Sequence, residues 1–135
     1  MGVRDNIKVV QQMYEAFGRG DIPAILGNLA EGATMDHSGP PDVLPWAGPH
    51  RGREGWQQFF KDLSANLDYL AFEPRQYVAQ GDKVVALGWW KARAKPTGRT
   101  FEAYWSMAWT LKGGKATDVR VYEDTAAVVA AMRKG

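Results

Sequence analysis

The amino-acid sequence predicts an α+β fold, with helices packed on one face of an antiparallel sheet. Three observations carry this. Apolar residues in the first half recur at helical spacing, the period changes to two after Pro74, and helix runs precede strand runs instead of alternating with them. The 135 residues suit a single domain spanning 1–135. A chain of that size buries about two-thirds of its unfolded surface, enough for one core.

The first helix follows Asp5, a plausible N-cap, and carries Ile7, Val10, Met13, Tyr14 and Phe17 on one side. Gly18 and Gly20 end it. Asp21 caps a shorter helix bearing Ile22, Ile25, Leu26 and Leu29, with Pro23 in its first turn. Ala33 to His37 reads as a short strand. Ser38 to Gly55 holds four of the seven prolines, so it is expected to be an ordered loop without regular pairing. Trp46, apolar in its middle, is expected to fold back onto the body. Glu54 to Leu67 is a third helix with Trp56, Phe59, Phe60, Leu63 and Leu67 on one stripe.

Four strands are expected next: Arg75–Ala79, Val84–Arg93, Arg99–Leu111 and Ala116–Tyr122. Gly81-Asp82, Pro96-Thr97-Gly98 and Gly113-Gly114 supply the turns between them. Asp124–Met132 closes the chain as a short helix. In Arg99–Leu111 the odd positions, Phe101 through Leu111, are apolar and must meet the helices. The even ones include Tyr104 and Ala108, which suit a partner surface. Val85, Leu87 and Trp89 share a face that Lys91 and Arg93 continue. If that face is the inner one, two cations point at the rim of a cavity.

Composition excludes much. Hydrophobic residues at 45% and charged residues at 24% rule out a disordered chain. Seventeen Lys and Arg against fifteen Asp and Glu leave +2, too even for a nucleic-acid or membrane-surface protein. No apolar run approaches the ~20 residues of a membrane span, and Met1 to Lys8 is polar, so a cytoplasmic protein is expected. With no Cys and two His, disulfides, thiolate nucleophiles, Cys-based zinc and a three-histidine metal site are out. No metal and no cofactor is expected. Six Trp, five Tyr and five Phe are many large rings for a small domain. They either line a cavity for an apolar ligand or simply pack a core.

Several segments together resemble the SnoaL-like group of the nuclear-transport-factor-2-like superfamily, which includes ketosteroid isomerase-like and polyketide cyclase-like proteins. The carrying text is "VVQQMYEAFGRGD" (Val9 to Asp21), "LAEGATMDHSGP" (Leu29 to Pro40), "LPWAGPHRGREGWQQFF" (Leu44 to Phe60), "VAQGDKVVALG" (Val78 to Gly88) and "GGKATDVRVYEDTAAV" (Gly113 to Val128). The resemblance implies a cone-shaped fold, a curved antiparallel sheet wrapped over about three N-terminal helices, with an internal pocket. It also implies a homodimer through the outer sheet face. Ketosteroid isomerases of this superfamily place an Asp base on the first strand, where this chain has His37. Their helix-one Tyr falls on Met13, with Tyr14 about 100° further round. Their later Asp falls on Ser106 or Met107. The steroid-isomerase set is therefore absent, and an Asp–Arg–Asp set of the limonene epoxide hydrolase kind has only Asp118 and Arg120 to draw on.

The expected catalytic residues are His37, which lies where the family puts a base, and Tyr14, whose phenol would donate to a substrate oxygen. Ser106 is a further hydroxyl for that role. Asp36 cannot orient His37, because adjacent strand residues face opposite ways; Glu102, Glu123 or Asp124 would have to. Trp46, Phe59, Trp89, Trp105, Met107 and Trp109 are the expected substrate-binding residues. The expected partner is a small hydrophobic or polyketide-like carbonyl compound, transformed without cofactor by isomerisation, cyclisation or dehydration. The alternative is a non-catalytic binding or dimeric assembly module of the same fold.

Overall fold

A computed structural model describes residues 2–134. Among them the elements are α1 (Val3–Gly18), α2 (Ile22–Gly27), β1 (Leu29–His37), β2 (Gly48–Arg51), α3 (Gly52–Asn66), β3 (Leu67–Gln80), β4 (Lys83–Ala94), β5 (Thr100–Lys112), β6 (Lys115–Glu123) and α4 (Thr125–Met132). The strands make one open sheet in the order β2-β1-β6-β5-β4-β3. It is curved, with register shifts in β3 at Tyr69/Ala71 and Pro74/Gln76. No helix among the described residues is long and apolar enough to cross a membrane.

The sheet is not wholly antiparallel: β1 pairs with β6 in parallel. A parallel pair needs a long crossover, and everything from β2 to β5 supplies it. Other boundaries move for local reasons. Gly2, not Asp5, caps α1, and the Asp5 carboxylate accepts the Gly2 N–H at 3.3 Å from the first turn. β2 lies inside the Pro-rich stretch, paired with β1 from Thr34↔Arg51 to His37↔Gly48. β3 begins at Leu67, well before Arg75, because Pro74 sits at a bulge on an edge strand, where a missing N–H is tolerated.

The helices cover the concave face. α1 buries Val10, Met13, Tyr14 and Ala16 against it, and α3 buries Trp56, Phe59 and Leu63. Trp56 is 2% exposed and donates its indole N–H to the Ala33 carbonyl at 3.2 Å, so its polar atom is satisfied. In β5 Phe101, Ala103, Trp105, Trp109 and Leu111 point inward, as the alternation requires. In β4 the inward set is Val84, Ala86, Gly88, Trp90, Ala92 and Ala94. Val85, Leu87, Trp89, Lys91 and Arg93 therefore lie on the outer face. The reason is space: small residues on β4 make room beneath the large rings of β5.

Candidate functional site

β1 and β6 bring two titratable side chains together at one end of the concave face. Met35 and His37 alternate inward on β1, and Val119, Val121 and Glu123 alternate inward on β6. His37 Nε2 lies 3.4 Å from Glu123 Oε1, with the two side chains 5% and 3% exposed. His37 Nδ1 lies 2.8 Å from the Ser38 carbonyl oxygen. A carbonyl only accepts, so Nδ1 carries a proton, and Nε2 is the atom that faces the Glu123 carboxyl group. A proton between Nε2 and Oε1 turns two facing acceptors into a donor and an acceptor. Asp36 faces out, opposite Arg120 in the ladder.

Tyr14 stands across the hollow on α1. Its hydroxyl accepts the Trp109 indole N–H at 2.9 Å and donates to Met107 Sδ at 3.3 Å. Burial holds this phenol well above the usual tyrosine range, although the bond from Trp109 works the other way. The group is thus a neutral donor whose present acceptor is a weak thioether. An oxygen entering the hollow would compete well for that proton. Tyr69 is likewise held above the usual range by burial, with the Glu123 charge adding to it.

The hollow these groups face has a volume of about 70 Å³. Ligand pockets run to roughly 300–1,000 Å³, so a larger guest enters only if the lining moves. Its walls are mostly rings, and Phe72 stacks on Trp105 at 5.0 Å and 7°. Among the described residues, three buried polar atoms without partners belong to its lining: Trp90 Nε1, Trp105 Nε1 and Glu123 Oε2. These are two donors and one acceptor.

Phe59, Trp105, Met107 and Trp109 line this hollow with His37 and Tyr14, and Met13 lines it too. Trp46 does not. It is fully buried beside Leu44 and anchors the Pro-rich loop, with His50 Nε2 donating to its carbonyl at 2.7 Å. Trp89 does not either. It lies on the outer face with the Arg75 guanidinium 5.2 Å above its ring, and its neighbour Trp90 faces the hollow instead. Ser106 is outward as well, which leaves Met107 on the inner face. Of the three carboxylates weighed for His37, Glu123 is the one beside it. Alternation from Val119 and Val121 turns Glu123 inward, and the β1–β6 register sets it beside His37. No group of three or more His, Asp or Glu able to hold a metal stands among the described residues.

The chain belongs to the SnoaL-like domain family, whose pattern matches residues 10–119. It is similar to a nuclear-transport-factor-2-like protein of Burkholderia xenovorans, at 34% identity over 98% of this chain and 99% of that one, with a TM-score of 0.89. It is similar to TerC, co-crystallized with polyporic acid, at 25% identity over 96% of this chain and 99% of that one, with a TM-score of 0.86. A candidate SnoaL-like polyketide cyclase of Mesorhizobium loti shares the fold at 18% identity, over 86% of this chain and 97% of that one, with a TM-score of 0.70. No curated protein sequence matches the chain.

Proposed function

We propose that this protein is a cofactor-independent acid/base catalyst acting on a small hydrophobic or polyketide-like carbonyl compound. The buried His37–Glu123 pair at the wall of an aromatic hollow carries the reading. His37 Nε2 takes a proton from the carbon next to the carbonyl, and the electrons of the broken C–H bond move onto the oxygen. Tyr14 gives up its bond to sulfur and donates to that oxygen. Glu123 faces the imidazolium and stabilises it. Return of the proton to another carbon completes an isomerisation. Attack of the enolate carbon on a second carbonyl, whose oxygen takes the proton from the His37 imidazolium, completes a cyclisation. Removal of a further adjacent C–H proton by His37, passed to the departing hydroxyl to give water, completes a dehydration. The unpartnered Glu123 Oε2 suits a substrate hydroxyl, and the free indole N–H groups of Trp90 and Trp105 suit ring oxygens. TerC's co-crystallization with polyporic acid supports an oxygenated aromatic guest.

The test is deuterium exchange at the carbon next to the carbonyl of 2-tetralone, followed by proton NMR. The protein accelerates the exchange, and His37→Ala or Glu123→Gln removes about 10²- to 10⁴-fold of the acceleration. An exchange rate equal to that in buffer, with 2-tetralone bound, favours the second reading, a binding module without chemistry. The lack of the steroid-isomerase Tyr and Asp residues at Met13, His37 and Ser106 or Met107 is the observation on that side.

The outer sheet face supports a homodimer. Tyr104 is 71% exposed there, and Tyr122 and Leu87 are exposed beside it. Exposed apolar side chains grouped in this way suit an interface.

A further inference from the structure

A second concavity, a groove of about 830 Å³, lies on the helix side of the molecule between the end of α1, the start of α2 and the outer side of α3. It shares four walls with the hollow: Phe17, Phe60, Leu63 and Tyr69 belong to both. Phe17 and Phe60 stand 6.1 Å apart and Phe17 and Tyr69 5.2 Å apart, so these three half-buried rings, with Leu63, separate the two spaces there. Beyond them the groove is walled mainly by apolar groups, Ile22 and Leu67 among them, and carries Gln57, Gln58 and Ser64 along one side. Its charged members, Glu54 and Lys61, are of opposite sign, so no net field selects an ion. The backbone after Phe17 is lightly packed. Gly18 and Gly20 follow Phe17, Gly20 has φ +71°, and a Cβ on either would meet nothing within 4 Å.

The geometry points to one continuous, two-part site: the groove holds the uncharged hydrogen-bonding tail of a ligand whose flat apolar head passes between Phe17, Phe60 and Tyr69 into the hollow. The inference rests on the hollow being a ligand site, as proposed above. The size mismatch argues for it. About 70 Å³ is too little for an aromatic ligand, whereas joining the groove to the hollow by rotating two phenyl rings gives an ordinary pocket. Aromatic and amide side chains pair with a ring system inside and ether, hydroxyl or amide groups outside.

Two probes test it by quenching of tryptophan fluorescence in the full chain: 2-naphthol, and 6-hydroxy-2-naphthyl triethylene glycol ether. The tailed probe binds about tenfold more tightly, the worth of one or two hydrogen bonds. The exposed pair Gln57→Ala/Gln58→Ala brings the two probes within about twofold and leaves 2-naphthol unchanged. Phe60→Leu, which keeps a packed side chain, speeds association of both by about tenfold in stopped flow. Equal affinities in the unmodified chain, or an advantage that survives the double variant, overturn the groove assignment and leave the hollow as a site. Unchanged association in Phe60→Leu overturns the gate. Failure of both probes to bind overturns the hollow as a ligand site and this proposal with it.

Discussion

Gly88 on β4 lies directly opposite Trp105 on β5, and a Cβ on Gly88 would stand 2.2 Å from Trp105 Cζ2. It would also come within 2.7 Å of the Glu73 carbonyl oxygen, which is backbone and cannot step aside. Gly88→Ala therefore forces the indole off its stack with Phe72. The expected cost is about 1–3 kcal/mol, read by urea unfolding, with an altered tryptophan emission spectrum. A variant as stable as the parent, with the same spectrum, would show that this close approach is not a constraint.

His37 and Glu123 should be coupled in stability as well as in catalysis. His37→Ala leaves a buried carboxylate facing no partner and is expected to cost about 3 kcal/mol. Adding Glu123→Gln removes the carboxyl group left without its partner. The double variant then loses less than the two single losses together, by about 1 kcal/mol or more in denaturant titrations. Simple additivity would mean the two side chains do not interact.

Alkaline pH should unfold the protein through its buried phenols. Tyr14 and Tyr69 keep their protons well above the ordinary value of 10.0, while in the unfolded chain they lose them there. The unfolded state thus binds fewer protons than the native one above pH 10.0, and stability falls as pH rises. Below that pH the contribution is fully present. Each such tyrosine costs about 1.4 kcal/mol per pH unit beyond its ordinary value. Tyr14→Phe, although less stable at neutral pH for want of its bond with Trp109, loses stability less steeply above pH 10.0. Equal slopes for variant and parent in alkaline melts would contradict this.

The outer face gives a prediction about assembly. Tyr104→Glu places a charge in the middle of the patch formed with Leu87, Trp89 and Tyr122. Sedimentation should show a dimer for the parent and a monomer for the variant, with no change in circular dichroism. A parent that sediments as a monomer at every concentration removes the dimer.

The architecture was legible where side chains of contrasting character alternate. On β5 large apolar residues and polar ones take turns, so the inner face could be read directly. On β4 the same reasoning misleads. Val85, Leu87 and Trp89 look more apolar than Ala86, Gly88 and Ala92, yet the smaller set is inside because the neighbouring strand fills the space with Trp105 and Phe101. Burial there is decided by volume across the ladder, which one strand's hydrophobicity does not contain. Trp89 and Trp90 show the consequence, since only one of two adjacent indoles can face in. Trp46 was legible as a ring that folds back, but its chain position did not say that it docks away from the hollow. His37 was legible by type and place. Glu123 was visible only as one of three carboxylates, because choosing it needs the register that sets β1 beside β6.

The parallel seam between β1 and β6 has a consequence for biosynthesis. His37 is made well before Glu123, and β1 has only the four-residue β2 to lean on until β6 arrives. Everything from β2 to β6 must therefore leave the ribosome before His37 and Glu123 meet. Translation stopped short of β6 leaves the histidine without its carboxylate, and long-range closure of this kind sets a slow pace for folding.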